Sequence, residues 1–299
     1  MEELDLVRIV IGLAFFVFAS ASDWRTRRVP DTSWLVLGSL AIAILIVDML
    51  AGSASLLTLS MILPIGFLFF DIYWDRERGI RTRTGFLATV LYLASFIWVA
   101  YASYLQFSGS VEYEPVFANI FMIFVIVIIF ILFYMFDIIK GGADAKAVIC
   151  LAILFPWYPA VSGLPIIVPS VENALIIFPF AFSVLFVGAL ISILLPIYFL
   201  IINIRSGNKL SARSLVGFRL PISDVEGKFY WLMEWVENGE LRFSARKLRG
   251  TDTLKADLAA LSEKGLREVW VTNKIPFIIP LTIGMLIVIT IGNPIFIFY

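Results

Sequence analysis

The sequence has no histidine, and Cys150 is its only cysteine. A Ser-His-Asp triad, a Cys-His pair, an HExxH zinc site and a thiolate zinc cluster all require residues that the chain lacks. Disulfide bonds within the chain are excluded by the same count. Any catalytic acid or base must therefore be a carboxylate, a lysine or a tyrosine, and no metal or other cofactor is expected.

Charged residues are also scarce, at 15% of 299 residues, against 61% hydrophobic residues. This composition is typical of an integral membrane protein. Eight apolar runs approach the roughly 20 residues that cross a bilayer, and the sixth of them is short. The runs cover about 6–22, 33–51, 55–73, 86–106, 117–139, 145–157, 174–203 and 276–297. The predicted fold is an all-α polytopic membrane protein with about eight transmembrane helices.

Basic residues fall almost entirely in alternate loops, and Arg8 is the exception. Because positive charge is retained on the cytoplasmic side, these loops are predicted to be cytoplasmic and both termini to lie outside. The acidic start "MEELDLVR" argues against a signal peptide, so the first run is taken as a retained helix. A multi-pass protein of the plasma membrane is predicted, in contact with the lipid bilayer and with no nucleic-acid partner. Lys140 and Lys146 are expected to reach headgroups or set the topology.

The only sizeable polar segment, 205–274, is predicted to be a small cytoplasmic α+β module before the last helix. In it, "GKFYWLMEWVENGELRFSARKL" suggests two strands joined by an Asn-Gly type I′ turn. "TDTLKADLAALSEKG" predicts a helix that stops at Gly265, and "REVWVTNKIPF" alternates like a strand. The predicted domains are a membrane domain 1–204 with the candidate catalytic residues, the module 205–274 and a C-terminal transmembrane helix 275–299.

Aspartates near membrane helix ends are the main candidates for chemistry, because an ionisable side chain in hydrocarbon costs about 2.5–3.5 kcal/mol on insertion scales. Six lie near the predicted cytoplasmic ends: Asp23, Asp31, Asp71, Asp75, Asp137 and Asp144. Asp23 follows the small residues of "ASAS", which permit close approach of another helix. The alternative is that Asp23 only offsets Arg25 and Arg27 at a helix end.

Asp144 follows Gly141, Gly142 and Ala143, which leave the backbone uncrowded for an approaching substrate strand. It would lie in the first turn of its helix, where the dipole favours an anion, and a helix N-cap is the alternative role. Asp23 and Asp144 lie at the ends of different helices on the same predicted side. Two carboxylates a few Å apart share a proton and can act as acid and base on a water molecule, with no histidine or metal.

The motifs "SDWRTRRVPD" and "KGGADAKAV" together resemble those of the type IV prepilin and archaeal preflagellin peptidases, membrane aspartyl proteases with a GxGD-type motif. "TNKIPFIIPLTIG" also looks like the segment that enters the last helix in the archaeal branch. The resemblance implies that Asp23 and Asp144 are the catalytic pair. It further implies cleavage of a short basic leader from pilin-like or archaellin precursors at the cytoplasmic face.

The chain departs from the family pattern at two points. Ala143 stands at the second glycine of the strict motif, a change associated with archaeal members. The separation of 121 positions between the aspartates (144 minus 23) is longer than expected, and two extra crossings would account for it. Leaders of this class carry Lys or Arg before the cut, so acidic residues near the site are candidate substrate contacts: Asp31, Asp71, Asp75 and Asp137.

Two other functions fit parts of the pattern. In a presenilin-like intramembrane protease Asp137 would be a catalytic partner, but the seven residues to Asp144 leave no room for the loop between the two motifs of that family. In an ion- or proton-coupled transporter the aspartates would be ion sites. Against that function, they gather at one face and no inverted repeat is visible.

Overall fold

The computed structural model describes residues 2–75, 81–136, 138–139, 141–168, 178–208, 210–226, 229–245, 253–274 and 276–298. The chain divides into two compact units. The first consists of Met1–Ala189 and Phe277–Tyr299, and the second of Leu190–Pro276.

Helices account for most of the described chain. In chain order they are α1 (Glu2–Thr26), α2 (Asp31–Ala51), α3 (Leu56–Ser60), α4 (Ile62–Asp71), α5 (Arg83–Phe107), α6 (Pro115–Met135), α7 (Gly142–Leu154), α8 (Phe180–Ser192), α9 (Leu194–Arg205), α10 (Leu254–Glu263) and α11 (Ile278–Thr290). Short 3₁₀ helices cover Ala212–Leu215, Ile222–Asp224 and Pro294–Phe298.

Within the described residues, five helices are long and apolar enough to cross a membrane. They are Glu2–Thr26, Asp31–Ala51, Arg83–Phe107, Pro115–Met135 and Phe180–Arg205, the last of which takes α8 and α9 together as one span. The three other predicted runs contain shorter helices, so eight crossings are not confirmed. At 1.5 Å per residue, the 13 residues of α7 reach only about 20 Å. The protein is a mostly helical, multi-pass membrane protein with a small sheet module near its C-terminus.

Prolines and glycines explain why those three helices are short. Pro64 cannot donate a hydrogen bond to the carbonyl of Ser60, and the run at 55–73 is divided at Met61. Pro156 restricts the residue before it, and α7 ends at Leu154 because Phe155 has a non-helical φ of −122° and ψ of 77°. Beyond α11, Gly292 has a φ of +99° and a proline follows two residues later.

The core of the first unit surrounds α7. Every residue of α7 from Ala147 to Leu154 is buried, and α7 packs most extensively on α2 and α6. α1 packs mainly on α11 and α2. Gly12 permits the close packing of α1, because a Cβ atom there would lie 2.6 Å from Met285 and 3.1 Å from Leu154. The short central helix is thus held by longer helices around it.

The second unit contains the strands. β1 (Phe218–Pro221), β2 (Tyr230–Leu232) and β5 (Glu268–Asn273) form an antiparallel sheet in the order β1-β5-β2. β3 (Glu234–Glu237) and β4 (Glu240–Phe243) form a separate hairpin. The core of this unit is formed by apolar residues of α9, β1, β2, α10 and β5.

Three sequence predictions in this unit are confirmed. Asn238 and Gly239 have φ of 51° and 79°, as a type I′ turn between β3 and β4 requires. α10 is followed by Gly265 with φ 80°, and β5 forms as predicted. The prediction of one strand before the turn was wrong, because the segment forms β2 and β3 in different sheets. Residues 232–235 are buried on four consecutive positions, which breaks the alternation of a single strand.

Candidate active site

Asp23 lies in the last turn of α1, where the chain turns sharply toward α2. Arg27 adopts a left-handed conformation with φ 55°, and its N–H donates to the Asp23 carbonyl at 2.9 Å. The Ser22 hydroxyl donates to the carbonyl of Arg28 at 2.8 Å, and the Thr26 hydroxyl to the same oxygen at 3.0 Å. These bonds fix the backbone that carries Asp23.

The C-terminal helix α11 holds the same end of α1. The hydroxyl oxygens of Ser20 and Thr282 lie 2.7 Å apart. Thr282 Oγ1 also lies 2.8 Å from the carbonyl oxygen of Ile278 and 3.2 Å from that of Phe16. Since Ser20 is three residues before Asp23, this cluster sets the rotation of α1 close to the carboxylate.

Asp144 lies in the first turn of α7, before the apolar part of that helix. Its N–H donates to the Gly141 carbonyl at 3.1 Å. Gly141 is in an extended conformation, and a Cβ atom on it would overlap Oδ2 of Asp144. A Cβ atom on Gly142 would be 3.4 Å from the ring of Tyr134. The glycines therefore leave room for the Asp144 side chain itself, in addition to any space for a substrate.

The carboxylates of Asp23 and Asp144 are close enough to interact electrostatically. Burial, and after it the negative charge of Asp23, together raise the pKa of Asp144 to about 7. Such a carboxyl group holds its proton near neutral pH, beside a second carboxylate. Within the described ranges, no three Asp, Glu or Cys side chains are grouped closely enough to hold a metal ion. The arrangement can supply one acid and one base.

Lys146 and Asp31 form an ion pair next to this site. Lys146 Nζ lies 2.6 Å from Asp31 Oδ1 and 5.1 Å from the ring centre of Tyr73. The Lys146 ammonium therefore binds within the first unit and does not reach outward to headgroups, whereas its effect on topology stays a prediction. Lys140 lies outside the described residues.

The other predicted substrate contacts differ in their surroundings. Asp71 accepts a hydrogen bond from the Tyr92 hydroxyl at 2.6 Å. Asp75 is exposed. Asp137 lies outside the described residues. Ala143 is half-buried in the first turn of α7.

Sequence reasoning missed a charged cluster at the opposite end of α1. Arg8 is 1% exposed, and its guanidinium lies 3.0 Å from Asp5 and 2.6 Å from Asp48. The guanidinium also stacks 4.7 Å from the ring centre of Trp157. The (i, i+3) spacing of Asp5 and Arg8 in an apolar helix was the available signal. Asp48, in the last turn of α2, completes the cluster.

The helix bundle and its two interacting carboxylates define a class, a membrane protein with a candidate carboxylate active site. Comparison with known proteins then shows what this chain is similar to. Residues 211–293 match the family model described as Archaeal Peptidase A24 C-terminus Type II. The chain is 27% identical over 245 residues to a preflagellin peptidase of Methanocaldococcus jannaschii, covering 77% of this chain and 92% of that protein.

Both matches support the archaeal preflagellin and prepilin peptidase family for this chain, and with it a protease. The motif-based recognition is thereby confirmed. The family model covers much of the second unit and α11, whereas Asp23 and Asp144 lie before the matched residues. The similarity to the preflagellin peptidase extends over most of the chain.

Proposed function

We propose that the chain is an aspartic endopeptidase that removes the short basic leader from preflagellin or type IV pilin-like precursors. The observation that carries the proposal is the electrostatic interaction of Asp23 with Asp144, at the ends of two different helices. The substrate class follows from the name of the similar preflagellin peptidase. The basic loops next to both aspartates support a cytoplasmic location of the active site.

In the proposed mechanism Asp144 is the acid and Asp23 the base. Near neutral pH Asp144 holds a proton, because its pKa is about 7. Asp23, ionised, removes a proton from a water molecule as that water attacks the scissile carbonyl carbon. Asp144 donates its proton to the carbonyl oxygen, which gives a gem-diol intermediate. The intermediate collapses when Asp23 passes the proton it took from water to the leaving nitrogen, the C–N bond breaks, and a gem-diol hydroxyl returns a proton to Asp144. Each step uses only carboxylates and water, which is compatible with the lack of histidine.

Replacing each aspartate by asparagine tests the assignment, because asparagine keeps the shape but cannot exchange protons in this way. Asp23→Asn and Asp144→Asn should each abolish leader removal from a co-expressed precursor, scored by the shift in precursor mass. Glu112→Gln is the matched control, since Glu112 is exposed on a loop away from both aspartates. Processing by either aspartate variant at the control rate would refute the mechanism.

We also propose that acidic residues near the site bind the basic leader. Asp75 is the first to test, because it is exposed, whereas Asp31 and Asp71 already bind Lys146 and Tyr92. Asp75→Asn should raise KM for a precursor with a basic leader and leave KM for a neutral leader unchanged. Equal KM values for wild type and variant on the basic leader would remove Asp75 from the proposed binding site.

A further inference from the structure

The ion pair between Lys146 and Asp31 connects the two segments that carry the candidate catalytic residues. Lys146 is two residues after Asp144, and Asp31 is eight residues after Asp23, at the start of α2. The two charged atoms are 2.6 Å apart. A contact between residues 115 positions apart in sequence therefore joins the chain segments that follow the two aspartates.

The two partners differ in how firmly they are held. The Lys146 side chain is 16% exposed, whereas that of Asp31 is 67% exposed. The Lys146 ammonium also lies over the Tyr73 ring, in the segment after α4. Lys146 is thus confined between α2 and that segment. Its charge cannot move away without leaving both Asp31 and the aromatic ring.

A second polar contact lies one turn further along the same two helices. The Cys150 thiol donates to the carbonyl oxygen of Trp34 at 3.4 Å. Cys150 is four residues after Lys146, and Trp34 is three residues after Asp31, so each pair shares one face of its helix. Two contacts in register along one face restrict the rotation of α7 about its own axis.

Rotation of α7 decides where Asp144 points. At 3.6 residues per turn, Asp144 lies about 200° around the helix from Lys146, so the two side chains project in different directions. While Lys146 and Cys150 face α2, Asp144 projects from another side of α7. There it is close enough to Asp23 for the charges of the two carboxylates to interact. Any turn of α7 that released Lys146 from Asp31 would move Asp144 by the same angle.

We propose that the Lys146–Asp31 pair is a positioning pair, which fixes α7 on α2 and so holds the Asp144 carboxylate in its place beside Asp23. This inference rests on the proposed function, because it assigns no chemistry of its own to Lys146. Lys146 and Asp31 act through Asp144 and take no part in the chemical step. Their effect is on the rate of the chemical step.

Kinetics of the full-length protein in lipid vesicles test the proposal, with two precursors that differ only in having a basic or a neutral leader. Lys146→Met and Asp31→Asn should each lower kcat about 10- to 100-fold with little change in KM, as expected when a reacting group is displaced. The losses should be the same for both leaders. The double variant should be no worse than either single variant, since both remove one interaction. Lys146→Arg, which keeps the charge, should restore most of kcat.

Other results would contradict the positioning role. A KM increase confined to the basic leader would make Asp31 a leader contact, and additive losses would mean that the two residues act separately. If Lys146→Met does not accumulate, a variant with exchanged charges, Asp31→Lys with Lys146→Asp, is measured in its place. Recovery of kcat in this variant supports the positioning pair. A correctly inserted exchange variant without activity contradicts it. The activity of Asp23→Asn is measured in the same experiment. Its activity would refute the aspartic mechanism, whereas wild-type kcat in Lys146→Met would refute only the positioning role.

Discussion

Oδ2 of Asp144 lies where the Cβ atom of any larger residue at position 141 would have to be. The carboxylate packs against bare backbone, so the glycine before α7 and the aspartate within it depend on each other sterically. Gly141 has a φ of −91°, which other residues adopt easily. The requirement for glycine at this position is therefore one of space and not of backbone conformation.

Gly141→Ala should move the Asp144 carboxylate and slow cleavage. A methyl group at position 141 meets a short side chain that can rotate away, so the fold should survive while kcat falls about 100-fold. Kinetics of precursor cleavage, with protein level in the membrane as a check, measure this. Gly66→Ala is the control, because a Cβ atom at Gly66 has no neighbour within 4 Å. A Gly141→Ala variant as active as Gly66→Ala would contradict the steric relationship.

The pH dependence of cleavage should show a loss of activity above about pH 7. The pKa of Asp144 is raised to about 7 by burial and then by the charge of Asp23, so above that pH the proposed acid loses its proton. The value of kcat/KM should then fall about tenfold per pH unit. A neutral-leader precursor removes titration of the substrate from the profile. Activity that stays constant through pH 8.5 would show that Asp144 is not the acid.

The stability of the folded protein should depend on the proton of Asp144. The raised pKa of Asp144 means that the folded protein binds this proton more tightly than the unfolded chain. The contribution of this proton to the free energy of unfolding is fully present below the ordinary pKa of a carboxyl group. It is lost as the pH rises through about 7. Asp144→Asn has no such proton, so its melting temperature relative to wild type should rise between pH 5 and pH 8. A constant difference across that range would contradict the assignment.

Local sequence patterns predicted the parts of the structure that depend on neighbouring residues. The turn at Asn238 and Gly239 requires positive φ at both positions, and few residue types tolerate that conformation. The start of α7 after Gly141 follows in the same way from glycines before an apolar run. The charge pattern also predicted that the helix ends with Asp23 and Asp144 lie on the same side of the membrane. The electrostatic interaction of the two carboxylates agrees with this prediction.

Contacts between distant residues could not be predicted in this way. Nothing near Lys146 in sequence indicates that its partner is Asp31, because the pair depends on how α7 packs against α2. Whether the short helix α7 crosses the membrane could not be predicted for a related reason. Hydropathy cannot distinguish a helix that faces lipid from one that is buried in protein, and α7 is buried on all sides for most of its length.

The contact between Ser20 and Thr282 should contribute to activity as well as to stability. Thr282→Val keeps the shape of the side chain but removes the hydroxyl that lies 2.7 Å from Ser20. One hydrogen bond contributes about 0.5–1.5 kcal/mol, so the loss of unfolding free energy should be small. Because the bond is one turn from Asp23, kcat should fall several-fold as well.

Thr290→Val is the matched control for Thr282→Val in the same helix. The Thr290 hydroxyl is exposed and donates to the carbonyl of Leu286 in its own helix at 2.7 Å. Both variants lose one hydroxyl from α11, but only Thr282 contacts α1. Kinetics and thermal unfolding of the two purified variants separate the effects. Equal kcat values for the two variants would show that the link between α11 and α1 does not position Asp23.

Removing Arg8 should be the most destabilising of these changes. Arg8 is buried between Asp5 and Asp48, and Arg8→Met would leave two carboxylates in the protein interior without a positive partner. Breaking a buried pair in this way costs about 3–5 kcal/mol, whereas replacing every charge costs much less. Thermal unfolding in detergent should therefore show a large loss for Arg8→Met and partial recovery when Asp5→Asn and Asp48→Asn are added. Arg25→Met, at an exposed position of the same helix, is the control. If Arg8→Met unfolds at the control temperature, the cluster does not stabilise the contact between α1 and α2.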